Sequence, residues 1–167
     1  FAELAVEEKI LPVEQRRTFE GYKRASGRVG TRNYIGVLTS VNCSASVARF
    51  IAEAFNRSGI LDDYPEIDGV VPFVHGTGCG MAGQGSEGFA TLQRTEWGYA
   101  KHPNIGGALL VGLGCEVMQI PGLMEDHRIE EGETFRTMTI QATGGTRKTI
   151  ERGVEMIKEM LPTVAAV

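Results

Sequence analysis

The chain has no apolar run near the roughly 20 residues that a membrane-spanning helix needs. Its first residues mix charged and apolar side chains and do not build a signal peptide. It has only three cysteines, an odd number, and no Cys-x-x-Cys pair. This fits neither a secreted disulfide framework nor a structural zinc site, and it points to a reducing cytoplasm. Positive charge is not in excess: 17 Lys and Arg against 21 Asp and Glu leave a net charge of -4. That balance argues against nucleic acid or an anionic membrane as the main partner. There is no Walker motif, because no glycine-rich loop is followed by Lys-Ser/Thr at the required spacing. Nor is there one strong phosphate loop with an acidic residue about 20 positions later, as in dinucleotide-binding folds. An initiator methionine is also missing, since Phe1 stands first; the expectation is a piece of a longer protein.

What is present is a repeated grammar. Three short apolar runs each end in a small, polar, cysteine-bearing loop. Tyr34–Leu38 leads into Thr39-Ser40-Val41-Asn42-Cys43-Ser44; Gly69–Val74 leads into His75-Gly76-Thr77-Gly78-Cys79-Gly80; Ala108–Gly112 leads into Leu113-Gly114-Cys115-Glu116. All three cysteines therefore fall just past an expected strand. In an open parallel sheet that edge is where ligands bind.

Helical patterns alternate with the strands. Cys43–Phe55 carries Val47, Ile51, Ala54 and Phe55 on one face, and Ser86–Ala100 carries Phe89, Leu92, Glu96 or Trp97, and Ala100. After the third strand Pro121-Gly122 interrupts the pattern, and Pro121 is the expected start of a helix there. A fourth strand is expected over Thr134–Gln141, and a last helix after Gly144-Gly145-Thr146, with Ile150, Val154, Ile157 and Leu161 on its face. Gly21–Asn33 reads as a glycine-rich cationic loop. Strands alternating with helices predict an α/β fold: a three-layer, Rossmann-like domain with a mostly parallel sheet of about four strands and helices on both faces. Residues 1–20 are expected to form an arm or linker, 21–162 the α/β domain, and 163–167 the start of a further linker. The strand order is not readable from the pattern, so neither is the set of cysteines that converge.

Several residues have the chemistry of a site. His75 closes the second strand among glycines that give access, and is a candidate base or metal ligand. Glu116, beside Cys115, could be a base or ligand, or a carboxylate favoured by a helix start. Cys43, Cys79 and Cys115 could bind metal, hold an iron–sulfur cluster with one iron open, act as redox thiols, or be small core residues. Gly144, Gly145, Thr146 and Arg147 could bind a carboxylate or phosphate at a helix start, or be a plain cap. Arg28 and Arg32, with Arg24, could clamp an acidic ligand or form a solvated face. Asn42 and Thr77 lie in the cysteine loops and join the candidate substrate binders.

These loops, in this order, resemble the altronate dehydratase and D-galactarate dehydratase family of sugar-acid hydro-lyases. The resemblance rests on Gly27–Tyr34, Val41–Ala45, His75–Gly80, Gly98–Asn104, Gly112–Val117 and Gly144–Thr146. It implies the central domain of a larger enzyme, flanked by a small N-terminal and a large C-terminal domain, acting on a small-molecule sugar acid. It implies dehydration to a 2-keto-3-deoxy acid with a divalent metal, commonly Fe2+, with Mn2+ or an iron–sulfur cluster as alternatives. A homo-oligomer is expected. Two other readings stay open: a non-catalytic dimerisation or scaffold domain of the same enzyme, and a sulfolactate sulfo-lyase relative.

Overall fold

The structure is a computed structural model, and it describes residues 11–166. The first half of the expected arm lies outside the described residues. The second half is exposed and holds one 3-10 turn, Val13–Gln15. Within the cationic stretch expected to be a loop, β1 (Tyr22–Lys23) and β2 (Val29–Gly30) form a small antiparallel hairpin. Gly27, at φ +79, makes its turn.

The domain then runs β3 (Tyr34–Thr39), α1 (Ala45–Asn56), β4 (Gly69–Phe73), α2 (Glu87–Ala100), β5 (Ile105–Gly112), α3 (Ile120–His127), β6 (Phe135–Thr139), a helical turn α4 (Ile140–Thr143) and α5 (Thr146–Ala165). Strands β3 to β6 form one parallel sheet in the order β4-β3-β5-β6. The chain moves outward from β3 to β4, then returns to lay β5 on the other side of β3. The point where the order reverses therefore lies between β3 and β5, and a doubly wound sheet opens its ligand crevice there.

The pleat divides the side chains. Ile35, Val37, Leu109 and Val111 pack with Val47, Ile51 and Phe55 of α1 and Ile157, Met160 and Leu161 of α5. Leu38, Ala108 and Leu110 face the opposite layer, with Trp97 and Ala100 of α2 and Ile120 and Leu123 of α3. Helices thus cover both faces, giving three layers, and the central strands are apolar throughout because neither side meets water. Gly153 permits the closest approach on the first face: a Cβ there would overlap Ile51.

Two boundaries differ from the sequence reading. β6 stops at Thr139, because the Thr139 hydroxyl accepts from Ala142 N–H and turns the chain into α4. The expected linker from 163 is still helix as far as Ala165, with Val164 buried and its carbonyl accepting from Asn33 Nδ2 at 2.9 Å. Both sheet edges are blocked. Asn56 bonds both N–H and C=O of Val70 on β4, Pro72 removes a further donor, and Glu131 accepts from Thr137 N–H on β6.

Candidate functional site

All four strand exits open on one edge and are stitched together by side chains from the small polar loops. Ser44 Oγ reaches the carbonyls of Val41 and Val111, both at 2.8 Å, and ties the β3 exit to β5. Asn42 N–H donates to Thr77 C=O at 2.8 Å, tying the β3 exit to that of β4. Gly78, at φ +99, packs against the backbone of Ser40 and Val41; a Cβ there would lie 2.8 Å from the Ser40 oxygen. Gln141 N–H donates to Leu113 C=O, joining the β6 exit to that of β5.

Glu116 is buried in this stitching. Its carboxylate accepts from Ser40 Oγ at 2.6 Å, Gly114 N–H at 2.6 Å and Leu113 N–H at 3.2 Å. Gly112 makes room for it, since a Cβ there would overlap Glu116 Oε1. Glu116 therefore braces the β5 exit, with two donors on Oε1 and one on Oε2.

His75 is half-buried at the end of β4. Its Nδ1 accepts from Thr77 N–H at 3.2 Å, so the ring proton sits on Nε2 and is donated to Thr39 C=O at 2.6 Å. On the same side, Glu96 Oε1 from α2 lies 3.5 Å from Nε2. Glu96 is 5% exposed and its Oε2 has no partner. Leu38, Trp97, Ala100, Leu110 and Phe135 press on it around a void of about 10 Å³. This burial pushes its carboxyl up to about 8, so it holds its proton at neutral pH. The sequence reading placed Glu96 on the buried helix face only. The available signal was a charged residue at an apolar position of an otherwise periodic helix.

Cys43, Cys79 and Cys115 are all exposed and unpaired. Loss of water around the Cys43 thiol raises its pKa, and interaction with Cys79 and then Cys115 raises it further. Cys43, past the central strand of the three, thus lies near enough to interact with both Cys79 and Cys115, as the β4-β3-β5 order allows. Among the described residues, however, no group of three or more His, Cys, Asp or Glu is spaced to hold a metal ion. The residues present bring thiols together but do not complete a metal site.

The remaining candidates divide between two edges. Gly144 (φ +92), Gly145 (φ +107), Thr146 and Arg147 lie at the β6 exit, on the thiol edge; Arg147 leans along α5 to Glu151, 3.8 Å away. Asn42 and Thr77 flank the thiols. Arg28 and Arg32 do not come to this edge. They precede β3, a strand roughly 20 Å long at 3.3 Å per residue, and sit at its opposite end. Arg28 donates to Lys101 C=O at 3.2 Å, and Arg32 pairs with Asp68 at 3.7 Å. Their guanidinium groups stitch the strand starts, as Arg24 does through Pro103 C=O and Asn33 Oδ1.

The family model for the second domain of D-galactarate dehydratase/altronate hydrolase matches residues 21–165. The chain belongs to this family. Similar proteins include an altronate dehydratase of Escherichia coli (strain K12), 31% identical over 86% of this chain, and one of Bacillus subtilis (strain 168), 28% identical over 87%. A galactarate dehydratase (L-threo-forming) of Escherichia coli is 42% identical over 65% of the chain. The matches span 28%, 28% and 21% of those relatives' own lengths. The family domain covers the whole sheet, so the stitched edge with its three thiols is a feature of the matched region.

Proposed function

We propose that this domain forms one wall of the active site of a sugar-acid hydro-lyase, which removes water from an altronate- or galactarate-type acid to give a 2-keto-3-deoxy acid. The observation that carries the reading is the edge itself: three thiols, His75 and mobile-proton groups gathered where a doubly wound sheet binds ligands, in a member of a dehydratase family.

Dehydration beside a carboxylate requires a base for the α-proton and fixed donors for the charge that develops on the carboxylate. His75 is the base in this reading. Its one lone pair, on Nδ1, is held by Thr77 N–H at a long 3.2 Å, so substrate binding must displace that contact before a proton can be accepted. Nε2–H remains on Thr39 C=O and keeps the ring oriented. Backbone N–H groups at the start of α5, with Thr146, are the carboxylate donors on this edge. Cys43, Cys79 and Cys115 belong to a metal or cluster site completed from outside these residues; a thiol-rich set suits iron or an iron–sulfur cluster better than Mn2+. When bound, that group would supply the Lewis acid for the leaving hydroxyl, the one requirement of the elimination that His75 and the N–H donors do not meet. The incomplete ligand set is what favours the alternative, a scaffold domain whose chemistry is held elsewhere.

The test is turnover of altronate and galactarate by the complete protein carrying Cys43→Ala, Cys79→Ala or His75→Ala. A fall of about 100-fold or more supports the reading. Unchanged turnover in all three assigns the domain to scaffold.

A further inference from the structure

Between the β4 exit loop and α2 runs a groove of about 650 Å³, within the size range of ligand sites. Glu87, Thr91 and Thr95 follow one another at four-residue spacing along α2 and form one wall; His75 and Thr77 form the other. Glu96 also lines the groove, and its Oε2, a buried atom, is unpartnered.

We infer that this groove binds the hydroxylated, uncharged end of an altronate-type monocarboxylate and excludes the carboxylate. The inference rests on the dehydratase reading. Three observations carry it. No Lys or Arg lines the groove, and Glu87 stands at its rim, so a carboxylate or phosphate gains no partner there and meets a like charge. The Thr77 and Thr95 hydroxyls make no hydrogen bond among the described residues, and each can donate and accept, as a polyol does. Glu96 is a buried polar group lacking a partner, an arrangement that costs stability until a ligand group supplies one. Being protonated at neutral pH, it adds no charge to the groove wall; its Oε2 has no accessible surface, so donation to a ligand hydroxyl requires the side chain to turn outward. Met81 and Leu92 offer apolar surface to the C–H faces of an extended carbon chain. The carboxylate end of the substrate then points away, towards the thiols and the start of α5.

The experiment follows the amide spectrum of the 15N-labelled chain at pH 6.5 during titration with galactitol, a neutral six-carbon polyol, and in parallel with altronate. The inference expects saturable shifts at Thr77, Thr91, Thr95 and Glu96 with galactitol as well as altronate. Thr95→Val, at an exposed helix position that leaves the fold intact, weakens both by about tenfold, the equivalent of one hydrogen bond. Glu96→Gln keeps a donor and retains binding; Glu96→Leu removes it and weakens binding. No saturable shift with galactitol overturns the inference, as do altronate shifts confined to the thiol loops. Neither result touches the dehydratase reading, which stands or falls on turnover.

Discussion

Glu96 offers a prediction whose size follows from the structure. An unfolded glutamate releases its proton near 4.5, whereas burial holds the native carboxyl to about 8. Between these values the native state binds more protons than the unfolded state, so stability falls as pH rises; above about pH 8 the loss is complete. At about 1.4 kcal/mol per pH unit, the full effect is about 5 kcal/mol. That is a large share of the 5–15 kcal/mol that typically holds a domain of this kind together. Glu96→Gln has nearly the same shape and does not titrate. Urea unfolding of both proteins at intervals from pH 5 to 9 isolates the effect, because the other titrating groups are common to both. The expected difference curve moves in favour of the Gln variant as pH rises and levels off above pH 8, where the variant is the more stable protein. Parallel stability curves for the two proteins would refute the reasoning, because Glu96 would then ionise in the native state as easily as in water.

Other outcomes follow from the stitched edge. Glu116→Ala strands two backbone N–H groups and Ser40 Oγ in a buried place, at a cost of about 3 kcal/mol; urea unfolding reads it, and an unperturbed midpoint contradicts the bracing role. Cys43 is held above the ordinary thiol range partly by Cys79 and Cys115. Replacing both with Ala should therefore quicken alkylation of Cys43 by iodoacetamide at pH 8, followed by mass spectrometry. An unchanged rate would mean that the thiols do not interact.

Much of this was legible in the residues. Strand exits could be placed because each apolar run ends abruptly in small polar residues, and those are the residues that later meet across the edge: Ser40, Asn42, Ser44 and Thr77 by hydrogen bonds, and Gly78 by close packing. Strand order was not legible. Nothing local in β3 or β5 states that they are neighbours, yet that pairing is what sets Cys43 near Cys115. The arginines misled for a related reason. Arg28 and Arg32 come just before β3 and Cys43 just after it, so they are close in sequence but separated by the length of a strand. In the fold they contact a backbone carbonyl and Asp68, partners distant in sequence. Glu116 read as reactive because exposed acids and buried bracing acids look alike until their donors are known; here two of the donors are its own loop's N–H groups. Glu96 was hidden by the opposite bias, since a carboxylate on an apolar helix face suggests a misplaced boundary before it suggests a protonated side chain beside His75.

The central claim is spatial: the exits of β3, β4 and β5 bring Cys43, Cys79 and Cys115 to one place. Phenylarsine oxide bridges two thiols only when they are close together, with loss of water, and leaves isolated thiols largely untouched. The account predicts one arsenical adduct per reduced chain by intact mass, persisting in each single Cys→Ala variant that leaves an adjacent pair and lost when only one thiol remains. A chain that takes no adduct while all three thiols alkylate independently would contradict it.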